Sequence, residues 1–310
     1  MPARRLVLPE DIATRPFTRA AGTSRGLRAA SFRSVGVRRL APGVFQASDG
    51  TEPRLRDLVG AHLATLDPRV LVDGLSALQL YGVDVGSPHP IRLCAPADHD
   101  VRRTGVRLRR VTAVPPSAGR VLTPVAAWAA AAYELDLVEL VVAGDWLVRL
   151  RRTTPEELQA YAAGLRGRHC RTVRRAADLV RAKVDSRPES RLRMCLVLAG
   201  LPEPICNLPL GDEHFFIAQP DLTYPVHKLA LEYEGDQHRT DPRQWDRDIE
   251  RTRLLSREGF VVERVTRQRL RRPRQLVTEI HAALVAAGYS GPSPVFSPAW
   301  CAHFEPGRVQ

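Results

Sequence analysis

Apolar residues recur at helical spacing through much of the first half of the chain. In RLRDLVGAHLATL, Leu55, Leu58, Val59, Leu63 and Leu66 fall on one stripe; SALQLYGV continues it, so residues 55–85 read as helical. IRLCAP and GVRLRRV alternate apolar and polar positions and predict strands. PVAAWAAAAYELDLVELVVAGDWLVR predicts a long, alanine-rich, mostly buried helical stretch. In TTPEELQAYAAGL, Thr154 is the N-cap, Pro155 the first helical residue, and Glu157 stands three after the cap, a capping box. Ahead of these, FTRAAGTSRGLRAASFRSVGVRRLAPGVF has room for two short helices and a strand, an outline open to a small winged-helix module over residues 1–50. Residues 51–183 read as a mainly helical α+β region with no catalytic constellation.

From about residue 184 the pattern changes. DSRPESRLRMCLVLAGLPEP holds a helix start, an amphipathic helix and a stop at Gly200. HFFIAQPDL and HKLALEYEG predict strands. TDPRQWDRDIERTRLLSREG predicts a helix with Asp241 as cap, Pro242 at its first position, Gln244 completing the box and Gly259 at its end. FVVERVT predicts a further strand, and PRQLVTEIHAALVAAG a last helix with Leu276, Ile280 and Leu284 in line. This order predicts an α/β domain over residues 184–289, followed by a Pro-rich, irregular tail over 290–310.

Length and composition narrow the class. A chain of 310 residues exceeds one compact core and predicts two or three domains. No apolar run reaches the roughly 18 residues of a membrane span. The N-terminus has basic residues but no apolar core of a secretory signal, so the expected location is the cytoplasm, with no membrane partner. Five cysteines are scattered without a CxxC pair, which predicts reduced, mostly buried thiols and no disulfide-linked partner. A net charge of +12 attracts polyanions and makes nucleic acid the natural partner. The positive charge is nearly all arginine, with lysine only at Lys183 and Lys228; in a chain rich in Ala, Pro and Gly this also fits a GC-rich genome.

The chemistry gathers in QPDLTYPVHKLALEYEGDQH. On a strand, Leu229, Leu231 and Tyr233 face one way, and Lys228, Ala230, Glu232 and Glu234 the other. Two carboxylates about 7 Å apart repel by roughly 2 kcal/mol at an effective dielectric near 20, which an exposed strand face would screen. Asp221, after Pro220 at the end of the preceding apolar run, comes beside Glu232 if the two strands form a hairpin. Three acids around one point need a cation, and hard oxygen donors suit Mg²⁺ or Mn²⁺. Such a site suits phosphodiester hydrolysis.

PD followed by a strand carrying ExE resembles the PD-(D/E)xK nuclease superfamily. The fuller run, through WDRDIERTRLLSREGFVVERVT, resembles the very-short-patch-repair endonucleases. It is most similar to their actinobacterial relatives, C-terminal domains of unknown function. The resemblance covers about residues 185–288. It implies a restriction-endonuclease-like fold, a central mixed sheet flanked by helices, and Mg²⁺-dependent cleavage of DNA. By the same resemblance Asp221 and Glu232 are the metal ligands. Glu234 takes the position usually held by lysine, where it would bind metal or act as a base, with Lys228 or Arg247 as candidates for the missing positive charge. Glu189 falls where the superfamily often has a glutamate on its first helix, and is equally the capping-box partner of Ser186. His238 lies near the position of a catalytic histidine in the repair enzymes, or is a surface-turn residue. Asp248 and Arg251 are site residues or an i, i+3 surface pair. Arg243, Arg247 and Arg251 make one basic helix face, and Arg267 and Arg271 add basic surface; both are candidates for contact with the DNA backbone. The front of the chain is similar to the winged-helix region of abortive-infection antitoxins. Two functions follow as expectations: a metal-dependent DNA endonuclease, or a non-catalytic DNA-binding regulator built on the same scaffold.

Overall fold

Prolines and capping carboxylates cut the apolar stretches into shorter elements than their periodicity predicts. A computed structural model describes residues 8–48, 52–211, 216–234 and 253–305. The stripe at 55–85 is two helices, Leu55–Leu63 and Gly74–Leu80, separated by the strand Leu71–Val72. Pro68 stands in the break, and the buried Asp73 restarts the helix by accepting the Gly74 N–H at 2.9 Å. Asp73 also holds Arg109 through two hydrogen bonds of 2.7 and 2.9 Å. The alanine-rich run is likewise two helices, Pro124–Ala131 and Leu137–Arg149, with Asp136 capping the second through the Glu139 N–H at 2.9 Å.

The chain forms two compact units, Met1–Tyr133 and Glu134–Gln310, divided in the turn between those two helices. The first unit begins with helix Glu10–Ala13, strand Phe17–Thr18, helix Arg19–Ser24, the 3-10 turn Ser31–Arg33 and the hairpin Val37–Ala41/Val44–Ala47. Phe17, Phe32 and Phe45 pack together in its small core. Gly43, at φ +78°, supplies the left-handed residue that the tight hairpin turn requires. A five-stranded mixed sheet follows, built on the strands Ile91–Pro96 and Val106–Val111.

The second unit is α/β. Its four-stranded sheet runs in the order Val261–Thr266, Leu229–Glu234, Leu222–Tyr224, Ile205–Cys206; the first pair is parallel and the others antiparallel. One face packs Leu229 and Leu231 against Leu192, Leu196, Leu276 and Ile280 from the helices Arg187–Leu198 and Pro273–Ala286. The other face packs Ala230 with Ala218, Leu255 and Phe260. Burial on both faces explains why this strand reads as nearly continuous apolar sequence.

The helix Leu137–Arg149 belongs to this unit for a polar reason as well. Its Asp145 accepts from Arg193 Nη2 at 3.0 Å, Ser190 Oγ at 2.7 Å and the Arg181 N–H at 2.8 Å. Arg193 is 0% exposed and also bonds Glu203 at 2.9 Å. The Pro-rich tail is not irregular throughout. Ser297 caps the helix Pro298–Phe304, and Trp300, 1% exposed, donates its indole N–H to the Cys195 carbonyl at 2.9 Å.

All five cysteines are free thiols. Burial pushes Cys94 up to about 12 and Cys206 to about 11, so both remain neutral thiols at neutral pH. Among the described residues no helix is long and apolar enough to cross a membrane.

Candidate functional site

The hairpin of Leu222–Tyr224 and Leu229–Glu234 pairs Leu222 with Leu231. Continued by one residue, that register sets Asp221 opposite Glu232, a separation of about 5 Å between Cα atoms. Asp221 Oδ2 accepts the Tyr233 N–H at 2.7 Å, which ties the aspartate side chain to the central strand. Glu232 is 8% exposed, so the face that carries it is interior rather than a solvated strand surface.

Glu234 lies two residues further along, half-buried, with Oε1 on Arg264 Nη1 at 2.9 Å. Arg264 comes from the parallel neighbour strand, where it stands in register with Glu232. Glu234 and Arg264 thus form a charge pair beside Glu232. Lys228 is not brought to the carboxylates. It lies before the strand with φ +47°, about 13 Å along the chain direction from Glu232, and its ammonium sits 4.8 Å from the Phe260 ring centroid.

Glu189 is buried on the helix Arg187–Leu198 and joins the site through Asn207. Its Oε2 accepts the Asp185 N–H at 2.9 Å and Asn207 Nδ2 at 3.0 Å. Ser186 accepts the Glu189 N–H at 3.3 Å, so half of the expected capping box is present while the glutamate side chain turns to Asp185 and Asn207. Asn207 Nδ2 also donates to the Lys183 carbonyl at 2.7 Å, and the Asn207 N–H donates to the Asp221 carbonyl at 2.9 Å. Asn207 holds φ +44°, a left-handed conformation that asparagine tolerates better than most residues. The Glu189 side chain and the Asp221 backbone are thus linked through one buried residue, Asn207, by its side chain on one side and its backbone N–H on the other.

Arg267 and Arg271 are exposed at and just beyond the end of strand Val261–Thr266. Their neighbour Arg269 is instead structural, bonded to Glu263 at 3.0 Å and Glu279 at 2.8 Å; the Arg269 hydrogen bond holds the Glu279 carboxyl below its usual range. His238, Arg243, Arg247, Asp248 and Arg251 lie outside the described residues. Among the described residues no three His, Cys, Asp or Glu side chains converge as metal ligands.

Sequence reading missed Asn207 and Arg264. Arg264 had a signal: it interrupts the apolar strand VVERVT near the C-terminal end of that strand. Asn207 had little, since its role depends on a backbone conformation and on a strand pairing.

Two proteins of Mycobacterium tuberculosis resemble the chain along most of its length: the uncharacterized protein MT2308 of strain CDC 1551 / Oshkosh and the uncharacterized protein Rv2248 of strain ATCC 25618 / H37Rv. Each is 28% identical over 280 residues, covering 84% of this chain and 96% of its own. No family model matches the chain, and no solved structure matches it with significance.

Proposed function

We infer that the second unit is a metal-dependent DNA endonuclease of the PD-(D/E)xK kind, with its site at the end of the central hairpin. The observation that carries this reading is the placement of Asp221 opposite the buried Glu232, beside a Glu–Arg pair where the superfamily has lysine. The mixed sheet flanked by helices agrees with the restriction-endonuclease-like core that the sequence resembles. At the front of the chain, the two short helices and hairpin agree with a reduced winged-helix module.

The donor set fits Mg²⁺ or Mn²⁺. Such ions are held by one or two carboxylates, with the remaining positions taken by water and substrate phosphate. Asp221 and Glu232 would hold the ion, whose charge relieves their mutual repulsion. When bound, it polarises the phosphoryl oxygen and lowers the pKa of water. Asp221 is oriented by the Tyr233 N–H, and Asn207 fixes the backbone at Asp221. Glu234 stands as proton acceptor for the attacking water, and Arg264 offers its guanidinium to the charge developing on phosphorus. Arg267 and Arg271, with Arg243, Arg247 and Arg251, would contact the DNA backbone.

A second reading is a DNA-binding regulator that keeps the fold and has given up cleavage. It is favoured by the engagement of Glu234 with Arg264 and by the lack of a three-donor metal cluster among the described residues.

The test is cleavage of supercoiled plasmid and of single-stranded DNA with Mg²⁺, Mn²⁺ or chelator, comparing the native chain with Asp221→Asn and Glu232→Gln. Metal-dependent cutting, lost in both variants while DNA binding persists, is expected. Binding without cutting, equal in all three proteins and indifferent to metal, leaves the regulator.

A further inference from the structure

The arginines of the second unit fall into two groups. Many are held by carboxylates: Arg191 by Glu139, Arg193 by Asp145, Arg264 by Glu234, Arg274 by Glu305. Residues 158–177 are different: five arginines lie between Glu157 and Asp178 with no acid among them. Arg166 and Arg174 of this stretch turn onto the backbone carbonyls of Ala162, Ala163 and Leu165. Arg168, Arg171 and Arg175 are exposed and, among the described residues, pair with no carboxylate.

The helix Cys170–Leu179 places this second group. Val173, Ala176 and Ala177 are its buried face. Arg171 and Arg175 stand one turn apart, about 6 Å along the axis, on the exposed side, with Arg168 just ahead of them. Like charges one turn apart weaken a helix. Arg171 also lies in the first turn, where the helix dipole disfavours a cation. The helix carries one acid, the exposed Asp178 three residues after Arg175, so the exposed arginines Arg168, Arg171 and Arg175 stand against a single carboxylate on this side. From this helix the chain runs through Arg181 to Lys183, whose carbonyl accepts from Asn207 beside Asp221.

We propose that the exposed arginine face of Cys170–Leu179, with Arg168, is a contact surface for the phosphate backbone of duplex DNA. It lies outside the part of the chain that resembles the nucleases, and it stands whether or not the carboxylate site cuts. The face suits a backbone rather than unpaired bases or lipid. Among the described residues, none of the large exposed apolar side chains falls between 158 and 183, so it offers neither an exposed ring for base stacking nor an apolar anchor for a bilayer. Backbone contacts of this kind release counterions, and each phosphate neutralised adds roughly 0.9 to the slope of log affinity against log salt.

The experiment is fluorescence anisotropy of a labelled duplex titrated with the whole chain at several salt concentrations, in Mg²⁺-free buffer. Arg171→Ala/Arg175→Ala is compared with Arg102→Ala/Arg110→Ala, a pair of equal charge loss on exposed residues of the first unit. Thermal melting of each variant checks the fold. The patch variant is expected to bind roughly tenfold or more weakly at 0.15 M salt, with the slope reduced by about 2, while the control stays near the native chain. Equal effects of the two pairs, no effect of either, or preferential binding of single strands or of anionic vesicles would overturn the proposal. Unaffected binding with metal-dependent cutting removes the patch and leaves the nuclease; patch-dependent binding without cutting does the reverse.

Discussion

Arg264 changes the meaning of the carboxylates around it. Glu234 alone reads as an excess negative charge; paired with Arg264 at 2.9 Å it becomes a neutral couple of one acid and one cation. Replacing the arginine therefore separates two roles. Arg264→Ala is expected to lower DNA cleavage by roughly 100-fold, the scale for losing one charge-stabilising donor, while duplex affinity changes little. Plasmid nicking rates and anisotropy on the same preparations check this. An equal fall in both would make Arg264 a backbone contact instead. Asp221, Glu232 and Glu234 were legible as candidates because acids within apolar runs are conspicuous, and Glu189 because it stands three after Ser186 at a helix start. Lys228 shows what alternation leaves open, since it tells which face a residue takes, not where the strand begins: at φ +47° it stands just ahead of Leu229, its carbonyl accepting the Val261 N–H and its ammonium over Phe260.

At the scale of elements, local signals were reliable where they were chemical. The Thr154 capping box is present in full, with the Glu157 N–H on Thr154 Oγ1 at 3.2 Å and the Thr154 N–H on Glu157 Oε2 at 3.1 Å. The stop at Gly200 holds as well, at φ +86°. Composition misled over the tail. Pro298 is the first residue of a helix, a place where its missing N–H does no harm. The helix exists to carry Trp300 into the main core, with Phe296 and Phe304 at 4.7 and 5.2 Å between ring centroids. Trp300→Ala is expected to cost about 3–5 kcal/mol of stability, measured by urea unfolding, because it leaves a cavity and an unbonded Cys195 carbonyl. A loss below about 1 kcal/mol would show that the tail helix is an accessory.

At the scale of the whole molecule, the compact unit that holds the residues from 184 onward extends back to Glu134. Arg193 is fully buried and needs Asp145, which sits on the helix Leu137–Arg149. A fragment of residues 184–310 would keep that cation and Glu203 but lose the fully buried Asp145, at about 3–5 kcal/mol, a large share of the 5–15 kcal/mol that holds a domain together. Residues 134–310 are thus expected to melt cooperatively on their own, and residues 184–310 to show no cooperative transition, followed by circular dichroism. A cooperative melt of the shorter fragment would place the boundary near 183 after all.

Amphipathic stripes, alternation and caps announce themselves within a few residues, because they depend on backbone geometry and on the nearest turn. They were enough to outline the α/β part and to single out its carboxylates. What they could not contain is any term linking residues far apart in the chain. The pairing of Glu234 with Arg264, the bridge from Glu189 through Asn207 to Asp221, and the burial of Arg193 against Asp145 each join segments separated by 14 to 48 positions. Those contacts are favourable only once both partners are out of water and in register, so folding alone assembles the candidate site and sets the limits of the unit that carries it.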